Sequence, residues 1–418
     1  MTADAIPVPD AAPPGPEPRS VEEHAAVIAR MLEPLTEEPA EESVPLTGAL
    51  GRVTAGEVRS EVDLPLFRNA QMDGYAVRAE DVRAAPVALE VSGDVPAGHA
   101  SPVTLIAGTA IRIMTGAPVP AGADAIVPVE DTELVLGRDD DLLGAVVEIR
   151  RARERGEFVR ERGSDVRRGE VLVAAGTRLA PRHLAALAAA GVEHVAVRAR
   201  LRVGILTSGS ELISGGAPRY GQVYDANGIA LAALVEEAGA TVSVRASSSD
   251  DPEAFARILD DALHRSDLVI TSGGISRGAY EVVREVLLPR GADVTTVAMQ
   301  PGGPQATAVV EGVPVFAFPG NPVSTQVSFA VFLRGPLRAA AGLPDLPPRE
   351  AVLAESVRSV AGRRQFLRGR LEGSGRVVPV SGPSSHLVAG MARADVLIDV
   401  PVQADALEAG AAVTVWTL

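Results

Sequence analysis

Between residues 200 and 338 short apolar runs alternate with helical patterns, and this alternation decides the fold class. LRVGILTS, TVSVRASSS, DLVITSGG, DVTTVAM and VPVFAFPG read as strands. Helices are expected at about Ala226–Ala238, Pro252–Arg265, Tyr280–Pro289 and Pro322–Ala340. Strands that alternate with helices predict a doubly wound α/β domain. Leu268, Val269 and Ile270 form an unbroken apolar run, which suits a strand covered on both faces. The run stops at Ser272, Gly273 and Gly274. Glycine lets backbone approach a ligand closely, and successive free N–H groups in such a turn cradle anions. The turn reads either as a phosphate cradle or as an ordinary strand-to-helix connection.

The rest of the chain divides by pattern. A proline-rich tail covers residues 1–19 and is expected to be disordered. Residues 20–60 and 151–197 read as two halves of one discontinuous linker or dimerisation domain. A β-rich domain, 61–150, is inserted between them. The α/β domain spans 198–342, and 343–418 carries only strand patterns, a small C-terminal β domain. Ser20 and Glu23 form a capping box ahead of a helical run to Leu35.

Charge and composition exclude several functions. The net charge is −15, which disfavours an electrostatic grip on nucleic acid or an anionic membrane. Aromatic residues are only 3%, too few for base-stacking platforms. All 39 basic residues are Arg, so lysine Schiff-base and P-loop chemistry are excluded. Any phosphate must be held by Arg, backbone N–H groups or metal. There is no Cys, hence no disulfide or thiolate site. No leader and no long apolar span is evident, and a cytoplasmic location is expected.

Five loops of the α/β domain fall at strand ends, where ligands bind in such sheets. They carry Glu211, Asp225 and Asn227, Asp250, the turn through Glu281, and Asn321. Asp225 and Asp250 each precede a helix, so each reads as an N-cap or as a ligand to ribose or hydrated Mg2+. Asp73 sits in a loop, Leu64–Arg78, that is more polar than a hairpin turn requires. Arg363, Arg364 and Arg368 alternate around Phe366, either as a solvated strand face or as anion ligands.

Six segments together resemble the molybdopterin molybdenumtransferase family, that is, MoeA and the gephyrin E domain. They are LPLFRNAQMDGYAVR, RIMTGAPVPAGADAIVPVEDT, ERGSDVRRGEVLVAAGTRL, SGGISRGAYEVV, PGNPVS and GRRQFLRG. The resemblance covers about residues 20–418. It implies a homodimer with the active site between the α/β domain of one subunit and the β-rich domains of the other. It implies insertion of molybdate into adenylylated molybdopterin with Mg2+ and release of AMP, and contact with other cofactor-biosynthesis proteins.

By position, the resemblance makes Asp73, Thr115, Glu211, Asp250 and Glu281 catalytic, with Glu211, Asp250 and Glu281 as metal ligands. Asp225, Asn227, Ser272, Gly273, Gly274, Arg277, Arg284, Pro301, Gly302, Asn321, Arg364 and Ser385 would bind substrate or nucleotide. Three departures stand out. Glu281 replaces a common Asp, TSGSEL replaces S-T-G-D-E-L, and Thr296, Gln300 and Gly303 stand where lysines are common. Arg277 and Arg284 are the expected substitutes. The alternative is a paralog that binds the pterin, or acts as a scaffold, without turnover.

Overall fold

The computed structural model describes residues 17–37, 39–98, 103–138, 141–275, 281–373 and 375–418. The proline-rich tail therefore lies outside the described residues through position 16, as does Arg277. The chain forms two compact units. One is Ser43–Val197, and the other joins Arg198–Leu418 to the segment before Ser43.

The second unit is built on a six-stranded sheet. Its strands are Arg202–Ser208 (β1), Thr241–Ser248 (β2), Leu268–Ser272 (β3), Asp293–Thr296 (β4), Pro304–Val310 (β5) and Val313–Phe318 (β6). Their order is β2-β1-β3-β6-β5-β4. The first four are parallel, β5 is antiparallel to both of its neighbours, and β4 runs with the first four. Leu268, Val269 and Ile270 are fully buried, as their apolar run requires.

Helices cover both faces: α1 (Val21–Glu37), α2 (Ala226–Glu237), α3 (Pro252–Arg265), α4 (Val282–Leu287), α5 (Pro322–Ser328) and α6 (Arg334–Ala340). A π-helical turn, Phe329–Leu333, joins α5 to α6. One core sits under α1, α2 and α5 and includes Ile28, Leu32, Ile205, Leu231, Phe316 and Phe332. The other sits under α3 and α4 and includes Phe255, Leu259, Val283 and Val315.

Two features differ from the sequence reading. Strand β5 was not expected, because it opens on Pro304. It pairs with β6 through a turn in which Glu311 and Gly312 both adopt positive φ, 53° and 85°. The expected strand DVTTVAM also splits. Its first part stays in the sheet as β4, and Met299–Gln300 leaves to pair with the C-terminal β structure.

That structure comprises Arg349–Leu353 (β7), Arg364–Glu372 (β8), Arg376–Pro379 (β9), Val396–Val400 (β10) and Ala412–Thr417 (β11). The pairings β8-β9-β7-β11-β10-β8 close into a small barrel, which removes the free edges. Leu353, Leu367, Val377, Ile398 and Val415 fill it.

Helix α1 packs on this unit, with Val21, Ile28 and Leu32 in its core. Its capping box forms: Ser20 N–H donates to Glu23 Oε2 at 2.8 Å and Glu23 N–H to Ser20 Oγ at 3.1 Å. Upstream, Arg19 is fixed by backbone bonds with Thr296 and Ala298.

The other unit holds a six-stranded mixed sheet in the order 125–128, 74–77, 109–113, 87–95, 141–149, 132–138. Beside it, Val58–Arg59 pairs with Val171–Val173, and the helix Pro181–Ala189 packs through Leu187 onto Ala49, Leu179 and Val195. Among the described residues no helix is long and apolar enough to cross a membrane.

His24 of α1 is fully buried, edge-on to Phe332 at 4.9 Å. Burial first, then the nearby Arg19 charge, lower its pKa from 6.5 to about 4. The native state therefore holds His24 neutral while the unfolded chain takes up a proton below pH 6.5. Stability is full above that pH and falls as the pH drops toward 4, by about 2 kcal/mol at pH 5. Urea unfolding of wild type and His24→Leu at pH 7 and pH 5 measures this. The variant should lose distinctly less on acidification, and equal losses would show that His24 is not the group responsible.

Candidate functional site

Strands β1, β3 and β6 end closer together than side chains allow. Gly273 and Gly274 both have positive φ, 99° and 61°. A Cβ on Gly273 would lie 2.5 Å from the Ser208 carbonyl oxygen, and one on Gly320 would lie 3.2 Å from Gly273 Cα. Glycine at these positions is a packing requirement. Asn227, in the first turn of α2, clamps the edge. Its Nδ2 donates to Ser272 Oγ at 2.9 Å and to the Gly320 carbonyl at 2.7 Å. Ser272 Oγ also meets Thr325 Oγ1 at 3.0 Å.

The carboxylates divide by task. Asp225 caps α2, accepting from Gly228 N–H at 2.9 Å, and also holds Thr207 Oγ1 at 3.0 Å. Asp250 caps nothing, since Asp251 caps α3. It accepts instead from Ser210 N–H at 3.1 Å, while Ser210 Oγ accepts from Asp250 N–H at 3.2 Å. Glu211 folds back on the same turn, where a Cβ added at Gly209 would come within 2.6 Å of its carboxylate. Glu281 precedes α4, and Arg284 N–H donates to the Gly274 carbonyl at 3.0 Å, which fixes this helix against the glycine turn. Buried Ser208 Oγ, Thr271 Oγ1, Ser248 Oγ and Asn227 Oδ1 have no protein partner at this same edge.

The Pro319–Asn321 loop connects the edge to a cavity of about 560 Å3. Pro301, Gly302, Asn321 and Ser385 all line it, together with Thr296, Gln300 and Gly303. The proline–glycine segment is held from behind by buried Gln305, whose Nε2 donates to the Gly302 carbonyl at 2.7 Å and to Ser328 Oγ at 2.8 Å. The Ser385 carbonyl accepts from Val323 N–H at 3.2 Å, tying its loop to α5.

The arginines fall out differently from the expectation. Arg364 does not line this cavity. Its guanidinium lies bidentate on Asp399 at 2.8 and 2.5 Å and also reaches Glu22. These acids, Asp399 first, raise its pKa. Arg363 lines the cavity. Arg368, two residues past Phe366, is fully buried. Its Nε donates to Ser381 Oγ at 2.8 Å and its Nη2 to the Gly382 carbonyl, at the root of the Ser384–Ser385 loop. No carboxylate among the described residues pairs with it, its Nη1 has no partner, and burial lowers its pKa. A buried cation without an anion is unfavourable unless a ligand supplies one. The sequence pattern named Arg368 but did not separate it from Arg364.

In the other unit, Asp73 and Thr115 meet. Asp73 Oδ1 accepts from Thr115 Oγ1 at 2.7 Å and from Thr115 N–H at 2.6 Å. The hydroxyl bond first, then the amide bond, hold the Asp73 pKa below the usual carboxylate range. Gly74 permits this turn, because a Cβ there would collide with the Val127 carbonyl.

Three family models match in order. They are the MoeA N-terminal region (domains I and II) over residues 19–191, a probable molybdopterin binding domain over 204–339, and the MoeA C-terminal region (domain IV) over 350–418. The chain belongs to the MoeA family. It is 45% identical to molybdopterin molybdenumtransferase 2 of Mycobacterium tuberculosis, over 96% of this chain and all of that one. Molybdopterin molybdenumtransferase 1 of the same organism is 36% identical over 95% and 98% of the two chains. A solved MoeA protein of Pyrococcus horikoshii superposes with a TM-score of 0.76 at 33% identity, covering 96% of this chain and 99% of its own. The family is one of transferases.

Thr115→Val should raise the Asp73 pKa toward its ordinary value while leaving the amide bond in place. Carboxyl 13C chemical shifts followed through a pH titration measure this, and an unchanged pKa would show that the hydroxyl bond does not form.

Proposed function

We propose that this chain inserts molybdate into adenylylated molybdopterin, with Mg2+ required and AMP released. The observation that carries this reading is the glycine turn at Ser272–Gly274, joined through the Pro319–Asn321 loop to a cavity whose Pro383–Ser385 wall follows the Gly382 carbonyl bound by the uncompensated Arg368. The turn suits the phosphates of a pterin nucleotide. The cavity suits a tetrahedral oxyanion, with hydroxyls and backbone N–H groups from Ser384, Ser385 and the Gly302–Gly303 segment. Arg363 and Arg368 supply the cationic field that lysines would otherwise give.

No group of three or more metal-ligating side chains occurs among the described residues. That fits Mg2+ beside a phosphate, which takes one or two carboxylates and fills its sphere with phosphate oxygens and water. Asp250 and Glu211, which share the Ser210 turn, would hold it; Glu281, the third expected ligand, is not gathered with them. When bound, Mg2+ polarises a phosphoanhydride. Water attacks at phosphorus, the anhydride P–O bond breaks and AMP leaves; molybdate gives up one oxide, which departs as water with the two dithiol protons as both sulfurs take up the metal. Asn227 holds the turn in place, and the Arg side chains offset developing charge. In a homodimer, Asp73 and Thr115 of one subunit would complete the site of the other.

AMP release from adenylylated molybdopterin, with Mg2+ and with or without molybdate, tests the reaction. Molybdate-dependent release is expected. Tight pterin binding with no release would instead support a binding protein. Arg368→Met, an apolar replacement of similar length, should fold and raise the molybdate concentration needed by about tenfold or more, with pterin affinity unchanged. An unaltered molybdate requirement would remove Arg368 from the oxyanion site. Asp73→Asn and Asp250→Asn should each be inactive alone, and a refolded mixture should regain roughly a quarter of wild-type activity if the site is shared across a dimer. No recovery would assign both residues to one subunit.

A further inference from the structure

A second cavity, of about 200 Å3, lies in the same unit as the oxyanion cavity and shares no lining residue with it. Its walls are apolar, with Leu234 of α2, Ala330 of the π-helical turn, and Val388 and Met391 of the short helix Val388–Met391. Two arginines, Arg334 and Arg338, and one acid, Glu237, also line it.

No ion pair among the described residues joins these side chains. Arg338 is spent on the Pro344 carbonyl, through Nε at 3.0 Å and Nη2 at 2.8 Å. Arg334 is half-buried and donates from Nη1 to the Thr417 carbonyl. It forms no ion pair with any carboxylate among the described residues, and Glu237 acts on it only from a distance. Burial is the first cause lowering its pKa. The local backbone is also unusual, since Arg334 immediately follows the π-helical turn Phe329–Leu333. Such turns occur most often at functional sites.

An apolar cavity of about 150 Å3 suffices to hold benzene. This one therefore has room for a ring or short branched chain with one carboxylate attached. Phosphate esters and dianions fit poorly, because Glu237 lines the same cavity and opposes a second negative charge. We propose that this cavity binds a small organic monocarboxylate, its carboxylate on Arg334 and its apolar body against Leu234, Ala330 and Met391.

Benzoate is the probe, titrated into the full chain by calorimetry. Saturable binding at one site per chain is expected with a dissociation constant on the order of millimolar, as its size allows. Benzyl alcohol, which lacks the charge, should bind at least tenfold more weakly. Arg334→Met and the cavity-filling Ala330→Leu should each weaken benzoate binding at least tenfold, while Arg368→Met should leave it unchanged. Ala330→Leu keeps the guanidinium, so it decides the matter alone where Arg334→Met fails to fold by circular dichroism. Benzoate binding that persists in Ala330→Leu, that is displaced by molybdate, or that never saturates overturns the proposal. Displacement by molybdate would place benzoate in the oxyanion cavity, leaving the proposed function itself intact.

Discussion

Backbone crowding at the carboxyl edge of the parallel sheet sets the rest of the site. Gly273 lies against the Ser208 carbonyl, and Gly320 against Gly273. Three strand ends thus stack with no side chain between them. A Cβ on Gly273 would collide with the end of β1, and one on Gly320 would press the Pro319–Asn321 loop against Gly273. That loop starts α5, and α5 holds the Ser385 loop through Val323 N–H. The position of residues 381–386 is therefore decided at glycines more than 60 residues earlier in the chain. Asn227 locks the stack, because its single amide spans Ser272 and Gly320. It also lies two residues from the Asp225 cap, so the start of α2 is held by its own helix bonds and by the strand ends together.

The electrostatics follow from a chain without lysine. Guanidinium groups are planar forks that bind carboxylates in pairs, and Arg364 behaves so, fully engaged by Asp399 and Glu22. Its field at the neighbouring cavity is largely cancelled. Arg368 bonds only to a hydroxyl and a carbonyl, so its charge stays uncancelled in a low-dielectric setting, where it acts further than it would in water. In the proposed function, a positive charge behind the loop, with neutral hydroxyls in front, would stabilise an oxyanion without a cation that must be stripped of water. That differs from a lysine-lined site, where a mobile, strongly hydrated ammonium makes direct contact.

The α/β sheet was legible because three of its strands, β1, β3 and β6, carry continuous apolar runs that lead into serine or glycine. The glycine turn and its neighbours Asp225, Asn227 and Asp250 could be named for the same reason. Other features were hidden by register. In β8 the residues 364, 366 and 368 share one face, so pattern alone gives Arg364 and Arg368 equal standing. The pairing of Phe366 with Asp399 decides between them, since it sets an acid beside Arg364 and leaves Arg368 opposite Leu397. Strand β5 was hidden by its first residue, Pro304, which argues locally against a strand. Capping by Asp251 in place of Asp250 is a shift of one residue, yet it frees Asp250 to hold the Ser210 turn.

Met299–Gln300 shows why the cavity lined by Pro301–Gly303 belongs to neither fold alone. After β4 the chain leaves the α/β sheet, and these two residues pair with Arg364 and Gln365 of the barrel. It then returns to the sheet as β5. Pro301, Gly302 and Gly303 are the return path, so they lie where sheet and barrel meet. The Gln365 amide donates to Gln300 Oε1 at 3.0 Å, and Gln305 holds Gly302 from the sheet side. Gln365 is buried, and its amide would lose the Gln300 partner if the two structures separated. The cavity therefore forms only when the α/β sheet and the barrel pack in one register. An oxyanion bound there would favour that packed state by contacting both sides.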